Sequence, residues 1–562
     1  MHKNFYRFLL LLLFGGGLLS SCKKDKNNID QGISYGIVGI EPLTAVQGDT
    51  VSIYGIGFQP DANGNLVKIN GADAKVVMAS STVLKVVVPA GVKAGNVTVQ
   101  TGSKTFSFDQ PFNITNLITG NQAANLALTS DKRYLLKGNV HIQKGATLSI
   151  AAGTVIQADK ITQAALIIDN GATLQVNGTA DNPVIFTSNQ PIGMRNPGDW
   201  KGIMLSATDN TADVLKYVRI EYAGYHLPNV AGAALWLSRN IDAGKIAYVQ
   251  TSYSGGDGFR CDAGAVIYLH YLVAFGCAGN DFAIVGNSRV VGQFLLGLKD
   301  PQYADQFGAD GLLIQSSRPA TISQLTLVGA NGLARAANSQ QPGYWPGARN
   351  YDDVLNRQSG RGVHIGGYDP VTGKAVNGTL QLFNAVIAAP WLAGISLDGP
   401  MAWTAYGKGE SMIRRTTVTY TLATSSNTFN HEVAPARGYT FCPENTGAQW
   451  GFGSSDNTAQ AKDFNTYNDT LKLQLATPFV TADDPKMIYD EIGMVGMVLY
   501  KNIGSPVMTP ASASVLLSGA TYANKELQDG FIDKTPVFRG AFGPIDWTHS
   551  WTNCTPQQTP YN

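Results

Sequence analysis

Three aspartates in the middle of the chain are spaced as if they recurred along one surface. The spacing from Asp257 to Asp281 is 24 and that from Asp281 to Asp310 is 29, and Arg260 lies close to the first of them. Carboxylate oxygens are preferred ligands of Ca²⁺, and a basic side chain beside them could remove a proton next to a sugar carboxylate. The pattern predicts a Ca²⁺ site at the three aspartates, with Arg260 and Asp257 as the candidate catalytic residues of a polysaccharide lyase.

The same aspartates also suit a structural role. Asp and Asn in glycine-rich turns hydrogen-bond the local backbone, and the sequence favours this role over a calcium site. A carboxylate pair for glycoside hydrolysis is a further alternative, for which Asp352, Asp353 and Glu432 are available. We therefore expect no cofactor to be required, with Ca²⁺ as the one to test.

A second group of candidate residues is aromatic. Tyr344, Trp345 and Tyr351 lie among Pro and Gly residues, outside any strand pattern, which predicts a long loop. Flat aromatic rings beside polar side chains suit stacking on sugars or contact with a protein partner. The alternative is that these rings pack the loop onto the rest of the domain.

The elements that must position these residues repeat along the chain. The stretch from Gly145 to Ile150 recurs from Gly171 to Val176, as Gly-Ala-Thr-Leu-x-Val/Ile. Such units are too small to fold alone, so they should stack as a solenoid and share one core. Without amphipathic helices between the strands, the pattern predicts a parallel β-helix over residues 125–562, with loop insertions at about 340–480.

A smaller unit precedes this domain. Residues 33–115 contain short β-patterned runs separated by Gly, Pro, Asn and Asp at regular intervals. This pattern predicts a small antiparallel sandwich. The fold class that we expect is therefore all-β: an immunoglobulin-like β-sandwich followed by a large right-handed parallel β-helix.

The first residues form a signal for export. Lys3 and Arg7 precede an apolar run from Phe8 to Leu19, which is too short to span a bilayer. We expect residues 1–21 to be removed and residues 22–32 to form a polar tether. Four cysteines follow Cys22, an even number that permits two disulfides in an exported protein, and we favour Cys261 with Cys277 as one pair.

Composition excludes several classes of protein. Only 14% of the 562 residues are charged, against about 25% in typical domains, while 44% are hydrophobic and 62 are glycine. The chain is therefore neither a disordered tail nor a coiled coil. With 41 basic and 40 acidic residues and no basic patch, we expect no nucleic acid partner.

Three resemblances add to this interpretation. Leu19-Ser20-Ser21-Cys22 resembles the lipobox of bacterial lipoproteins, which implies acylation of Cys22 and a membrane anchor. The array of Pro42, Gly48-Asp49, Gly55-x-Gly57-Phe58 and Val86 to Gly91 resembles the IPT/TIG family, whose domains are usually spacers or docking modules. Ala152-Gly153-Thr154-Val155-Ile156 and Tyr217 to Gly224 resemble a mostly uncharacterised group of exported Bacteroidetes β-helix proteins.

These observations lead to one hypothesis and two alternatives. We expect a lipid-anchored outer-membrane protein at the cell surface, with the periplasmic face as the other location, whose β-helix binds polysaccharide or another macromolecule without transforming it. The first alternative is a polysaccharide lyase or glycosidase on the same scaffold. The second is an adhesin or structural envelope protein, which would neither bind nor cleave glycans.

Overall fold

A computed structural model describes residues 35–206, 212–227, 230–300, 310–329, 361–368, 373–388, 393–418 and 514–561, with short pieces at 440–441, 466–467, 475–477, 507–510 and 512. Within these ranges the regular structure is almost entirely β. One α-helix is present there, α1 (Pro400–Gly407), together with 3₁₀ turns at Ala62–Gly64, Val515–Leu517, Lys525–Leu527 and Pro556–Gln558.

The N-terminal domain is an antiparallel sandwich. Its strands are β1 (Gly36–Glu41), β2 (Thr44–Ala45), β3 (Thr50–Ile56), β4 (Asn65–Ile69), β5 (Ala72–Ala79), β6 (Val83–Val87), β7 (Val97–Thr101), β8 (Lys104–Ser107) and β9 (Asn113–Ile114). Seven of them pair in the order β1-β3-β6-β5-β4-β7-β8, and β2 pairs with β9. Buried and exposed residues alternate along β3 and β4, as a half-buried strand requires. The alternation places Ile53, Val67 and Val86 in a core of their own.

The following domain is a parallel β-helix. Its first strands are β10 (Asn116–Gln122), β11 (Leu126–Leu128), β12 (Arg133–Ile142), β13 (Thr147–Ala151), β14 (Val155–Ala158), β15 (Ala165–Ile168), β16 (Thr173–Asn177), β17 (Val184–Ser188), β18 (Gly202–Leu205), β19 (Val214–Glu221), β20 (Ala233–Leu237), β21 (Ile241–Ser252), β22 (Asp257–Cys261), β23 (Val266–Phe275), β24 (Phe282–Val285), β25 (Arg289–Leu298), β26 (Leu312–Gln315) and β27 (Ala320–Val328). Each strand pairs in parallel with the equivalent strand of the next coil.

Coils continue beyond residue 360. The later strands are β28 (Arg361–Tyr368), β29 (Ala375–Val376), β30 (Leu380–Phe383), β31 (Val386–Ala388), β32 (Ala393–Asp398), β33 (Met412–Arg414), β34 (Thr417–Val418), β35 (Thr440–Phe441), β36 (Thr466–Tyr467), β37 (Leu475–Thr477) and β38 (Val507–Pro510). Of these, β29 lies antiparallel to β28, and β37 and β38 pair only with each other among the described strands. The range 340–480, where we expected loop insertions, therefore also contains coils of the helix.

The coils build three sheets. Sheet A contains the end of β12 and then β15, β18, β20, β22, β24, β26, β28, β32 and β35. Sheet B begins with β11, β13 and β16, and sheet C with the start of β12, β14 and β17. The long strands β19, β21, β23, β25 and β27 bend in their middle and run from sheet B into sheet C.

Apolar side chains stack inside the helix from coil to coil. Strands of four or five residues are too short to bury much surface alone, so each inward side chain packs on its equivalent one coil away. One such row in sheet A consists of Ile142, Ile168, Leu205, Leu237, Cys261, Ile284, Ile314 and Ile365. All of them belong to a single core that runs the length of the described coils.

A stack of aromatic rings marks the bend between sheets B and C. Tyr217, Tyr248, Tyr271 and Phe294 occupy equivalent positions in four successive coils, each with a positive φ of 52–59°. Their rings are nearly parallel, with centroids 4.4, 4.6 and 4.7 Å apart. Positive φ is unfavourable for such bulky residues, and the stacking offsets part of that cost.

The C-terminal residues 514–561, which we call the strap, cover this aromatic stack. Trp551 meets Tyr217 and Tyr248 edge-on, and Trp547 packs on Tyr271. The strap runs back along the helix, so that its end reaches an early coil, where Arg195 donates to two strap carbonyls, those of Pro556 and Thr559, at 2.7 and 3.0 Å.

Candidate functional site

A ladder of polar side chains lies where the strands of sheet A begin. Asp257, Asn280 and Asp310 occupy equivalent positions in three successive coils, and each uses Oδ1 to accept the backbone N–H of the following coil. The three N···O distances are 3.1, 2.9 and 3.1 Å, the last to the backbone of Arg361. These bonds satisfy backbone donors at a corner of the helix, which is the turn role that the sequence favoured.

The second carboxylate oxygen of each aspartate in the ladder is paired with a cation or a histidine. Asp257 Oδ2 accepts from the Arg260 guanidinium at 2.9 Å. Asp310 Oδ2 lies 2.7 Å from His364 Nδ1, and the other ring nitrogen of that histidine lies 3.2 Å from Asp398. Both aspartates are buried, so these partners compensate charges that water cannot reach.

Asp281, the third predicted ligand, faces a different way. An added Cβ at Gly297, an inward position of sheet C, would lie 2.5 Å from Asp281 Oδ2, so the carboxylate lies inside the helix. Its Oδ1 is 3.0 Å from the ammonium of Lys299, and both side chains are almost fully buried. Burial raises the pKa of Asp281 to about 7, although the Lys299 ammonium pulls this pKa down.

The predicted calcium site is therefore not formed. Among the described residues, no group of three or more His, Cys, Asp and Glu side chains is arranged to hold a metal ion. Asp257, Asp281 and Asp310 do lie in successive coils, as their spacing suggested. Their oxygens are directed to backbone N–H groups or to basic side chains, and they do not converge on a common point.

The predicted disulfide is also not formed, because Cys261 and Cys277 are free and buried thiols. An added Cβ at Gly258 would lie 3.0 Å from Cys277 Sγ, so Cys277 lies over that end of β22. Cys261 is three residues further along the strand, roughly 10 Å away. A disulfide needs Cβ atoms within about 4.5 Å of each other, so this pair cannot bridge.

Arg260 belongs to a half-buried cluster on the outer face of sheet A. Its guanidinium lies over the indole of Trp236, 5.1 Å from the ring centroid, and 3.8 Å from Asp262 Oδ2. Asp262 also accepts a hydrogen bond from Trp236 Nε1 at 2.7 Å. Arginine stays protonated in proteins, and here two carboxylates hold it. Arg260 is therefore built as a fixed cation and is poorly suited to act as a base.

This cluster is the centre of a long row, which we call the sheet A strip. Its members are equivalent outward positions in eight successive coils: His141, Ile167, Met204, Trp236, Arg260, Ala283, Leu313 and His364. At about 4.8 Å between neighbouring strands the strip is roughly 34 Å long. It combines apolar side chains with ionisable groups at both ends, where His141 pairs with Asp169 and His364 with Asp398.

Sequence reasoning missed Trp236, His364 and Asp398, and it assigned no role to Asp262. A signal for Trp236 exists, because Ala-Ala-Leu-Trp-Leu and Asp-Gly-Phe-Arg-Cys align as equivalent strands, with the indole beside the guanidinium. The other predicted site residues lie outside the described residues. These are Cys22, Tyr344, Trp345 and Tyr351, together with the carboxylates of the glycosidase alternative, Asp352, Asp353 and Glu432.

Comparisons with known proteins identify both domains. Residues 37–115 match the family model of the IPT/TIG domain, and residues 120–212 match that of a pectate-lyase like beta helix domain. The chain thus carries an immunoglobulin-like TIG domain followed by a β-helix domain. No curated protein matches the chain. Among the described residues, no helix is long and apolar enough to cross a membrane.

A short part of this chain is similar to parts of solved structures, two of which are described here. An auxiliary nutrient binding protein from Bacteroides thetaiotaomicron is 26% identical over 14% of this chain and 21% of its own, with a TM-score of 0.14. A second one, from Bacteroides ovatus, is 22% identical over 18% of this chain and 25% of its own, also with a TM-score of 0.14. This chain thus spans a quarter or less of the length of either protein.

Proposed function

We propose that this protein is a lipid-anchored protein of the cell surface, whose β-helix binds a polysaccharide or another extended macromolecule along the sheet A strip without transforming it. In this proposal Cys22 carries the lipid, residues 22–32 form a tether, and the TIG domain acts as a spacer. The observation that carries the proposal is the half-buried cluster of Trp236, Arg260 and Asp262, which presents an aromatic ring, a cation and a carboxylate together on the outer face of sheet A.

The geometry of the strip suits an extended ligand. Parallel strands repeat the same outward position at a constant interval, so a chain-like ligand can contact several coils in succession. Large aromatic and arginine side chains supply most of the binding energy at typical interfaces. Trp236 and Arg260 are already held by Asp257 and Asp262, so less side-chain entropy is lost when a ligand binds.

The lyase alternative lacks a base among the residues that suggested it. A general base must accept a proton, whereas Arg260 remains charged and is paired with Asp257 at 2.9 Å. Asp257 is itself occupied by that guanidinium and by the N–H of Asn280. Binding without turnover therefore accounts better for this cluster than catalysis does.

A retention assay tests the proposal. The mature ectodomain, residues 23–562, is applied to a panel of immobilised plant, host and microbial polysaccharides, with and without Ca²⁺, and both retention and released products are measured. We expect retention of at least one glycan without products. Trp236→Ala and Arg260→Gln should each weaken it at least about tenfold, the effect of losing a hot-spot side chain.

The controls separate the alternatives. Val38→Ala changes an exposed side chain of the TIG domain and should leave retention unchanged. Trp345→Ala tests the aromatic residues that the sequence predicts to lie in a loop, independently of the strip. Released products would indicate an enzyme. Neither retention nor products with any glycan of the panel would favour an adhesin or structural protein. Retention that survives both strip variants would place binding elsewhere.

The anchor has its own test. Cys22→Ala in the full chain should abolish incorporation of a labelled fatty acid and move the protein from the membrane fraction to the soluble fraction, because the acyl chains supply the membrane affinity. An unchanged distribution of the variant would contradict the anchor. It would leave the binding proposal untouched.

A further inference from the structure

A second row of outward positions runs beside the sheet A strip, two residues further along each strand. The register of sheet A places these residues at equivalent positions in successive coils: Gln143, Asp169, Ser206, Ser238, Asp262, Val285, Gln315, Gly366 and Asp398. We call them the second row. Three of its members are aspartates, and none is a lysine, arginine or histidine. The second row therefore adds negative charge to this face of the helix and no positive charge.

Each basic side chain of the strip lies beside one aspartate of the second row. The pairs are His141 with Asp169, Arg260 with Asp262 and His364 with Asp398, and the nitrogen–oxygen distances are 2.9, 3.8 and 3.2 Å. The carboxylate of a ligand on the strip would therefore compete with an aspartate for every basic side chain of the strip.

Carboxylates outnumber cations at the centre of the strip. The Arg260 guanidinium also donates to Asp257 Oδ2 at 2.9 Å, so two aspartates surround one arginine. In the coils immediately before and after, both rows hold uncharged residues, namely Trp236, Ser238, Ala283 and Val285. One negative charge is thus in excess at the centre of this face.

The excess charge is located at Asp262. Its two carboxylate oxygens accept from Trp236 Nε1 at 2.7 Å and from Ser238 Oγ. Both donors are uncharged, so neither cancels the charge of the carboxylate. The Asp257 side chain is only 8% exposed and also accepts the N–H of Asn280, whereas that of Asp262 is 18% exposed. A ligand on the strip therefore meets the Asp262 carboxylate.

An excess carboxylate on a binding face discriminates between ligands by charge. Bringing like charges together raises the free energy of a complex, and binding sites use this repulsion to reject wrong partners. The hydroxyl groups of an uncharged sugar meet no such repulsion. An acidic sugar does, because it carries its own carboxylate or sulfate group to the face.

We infer that the sheet A strip selects uncharged polysaccharides over acidic ones, and that Asp262 sets this preference. The inference rests on the proposed glycan binding and adds the chemical class of the glycan. It also argues against the lyase alternative, because an enzyme that acts on acidic polysaccharides must hold the sugar carboxylate.

Matched pairs of polymers test the preference in the native protein. Hydroxyethyl cellulose and carboxymethyl cellulose share one backbone, and methyl-esterified and de-esterified homogalacturonan share another. Retention of the ectodomain, residues 23–562, is measured on each polymer at low salt and at about 1 M salt, with chitosan as a cationic polysaccharide. At low salt we expect the neutral member of at least one pair to be retained at least about fivefold more strongly than the acidic member. The difference should shrink at high salt, which screens charges beyond about 3 Å.

Asp262→Asn removes the excess charge and can keep both hydrogen bonds. The amide oxygen accepts from Trp236 Nε1, and the amide nitrogen donates to Ser238 Oγ. We expect retention of the acidic polymers to rise at least about fivefold, while retention of the neutral ones changes by less than about twofold. Asp181→Asn, at an exposed bend between β16 and β17, is the matched control and should change neither.

The outcomes separate this inference from the proposed function. Acidic polymers that are retained as well as their neutral partners would overturn the inference and leave glycan binding in place. A folded Asp262→Asn variant with an unchanged ratio would do the same, and so would a preference for chitosan over the neutral polymers. If no polymer is retained, the proposed function fails and the inference fails with it.

Discussion

Gln293 holds Asp533 of the strap through both ends of its side-chain amide, donating from Nε2 to the Asp533 carbonyl at 2.7 Å and accepting the Asp533 N–H on Oε1 at 2.8 Å. Two other amides do the same at other coils. Gln250 hydrogen-bonds both backbone groups of Asn553, and Asn384 hydrogen-bonds both backbone groups of Thr521. These three amides thus attach the strap to three coils, in addition to the hydrogen bonds of Arg195 and the contacts of the aromatic side chains.

Removing one of these amides should loosen the strap. Gln293→Ala leaves both backbone groups of Asp533 without their partner, so we expect the free energy of unfolding to fall by about 1–3 kcal/mol. Urea unfolding measures this loss, and limited proteolysis should show faster cleavage within the strap. Gln100→Ala, at an exposed position of β7, should change stability by no more than about 0.5 kcal/mol. Equal proteolysis of the two variants would contradict the attachment.

The aromatic stack should contribute strongly to stability. Tyr248 is sandwiched between Tyr217 and Tyr271, with the edge of Trp551 against it. We expect Tyr248→Ala to cost about 2–4 kcal/mol and Tyr248→Phe to cost far less, because the phenylalanine keeps the ring.

The backbone conformation of Tyr248 leads to a further prediction for the same position. Tyr248 has a φ of 59°, which glycine adopts without strain. Tyr248→Gly should therefore be at least as stable as Tyr248→Ala, the reverse of the usual order within a strand. Thermal unfolding of the three variants ranks them. If alanine is clearly better than glycine, strain at this bend is not significant.

The sequence repeat predicted not only the fold but also the register of its first coils. The stretch that begins at Gly145 recurs from Gly171, and the structure pairs Leu148 with Leu174 and Ile150 with Val176. Stacking requires like side chains at equivalent positions, so the pattern is visible in the chain. The strap has no such signal, because its contacts, from Asn384 with Thr521 to Arg195 with Thr559, join residues 137–364 positions apart.

The three aspartates show that spacing along the chain does not determine which residues occupy equivalent positions in successive coils. The structure pairs Phe259 with Phe282 and Phe282 with Leu312. This register puts Asn280 in the ladder position between Asp257 and Asp310, and it leaves Asp281 one residue out of step. In a strand a shift of one residue moves the side chain to the opposite face. Loop lengths vary from coil to coil, so the spacing could not reveal this.

His364 should make stability depend on pH. Burial and the nearby Arg361 lower its pKa, but the carboxylates of Asp310 and Asp398 outweigh them, so the pKa of His364 is raised above the ordinary 6.5. Since the folded protein holds this proton more tightly, the stabilisation is complete below about pH 6.5 and is lost as pH rises through the raised pKa.

A histidine variant isolates this contribution. His364→Gln keeps a polar side chain but does not titrate, so its deficit in unfolding free energy should be larger at about pH 6 than at about pH 9. His549→Gln, at an exposed position of the strap, is the control for the loss of a histidine. A deficit for His364→Gln that is constant across this range would exclude a charged His364 as the link between the coils.

The buried ion pair of Asp281 and Lys299 should contribute little net free energy to stability. Removing one partner alone should be strongly destabilising. The Lys299 ammonium also donates to the carbonyl of Gly279 at 2.6 Å, so several polar groups depend on it. Lys299→Met leaves the Asp281 carboxylate without a cation inside the helix, and we expect a loss of about 3–5 kcal/mol. The double variant Asp281→Asn with Lys299→Met removes both charges and should recover most of that loss.

The pH dependence of the single variant distinguishes charge from packing. Without Lys299 the pKa of Asp281 should rise further, since the attraction that now lowers it is gone. Protonation then relieves the cost, so the deficit of Lys299→Met should be smaller at about pH 5 than at about pH 8. Lys85→Met, at an exposed position of β6, is the control for loss of a lysine. A deficit independent of pH and retained in the double variant would mean that Lys299 stabilises this corner by packing and not by its charge.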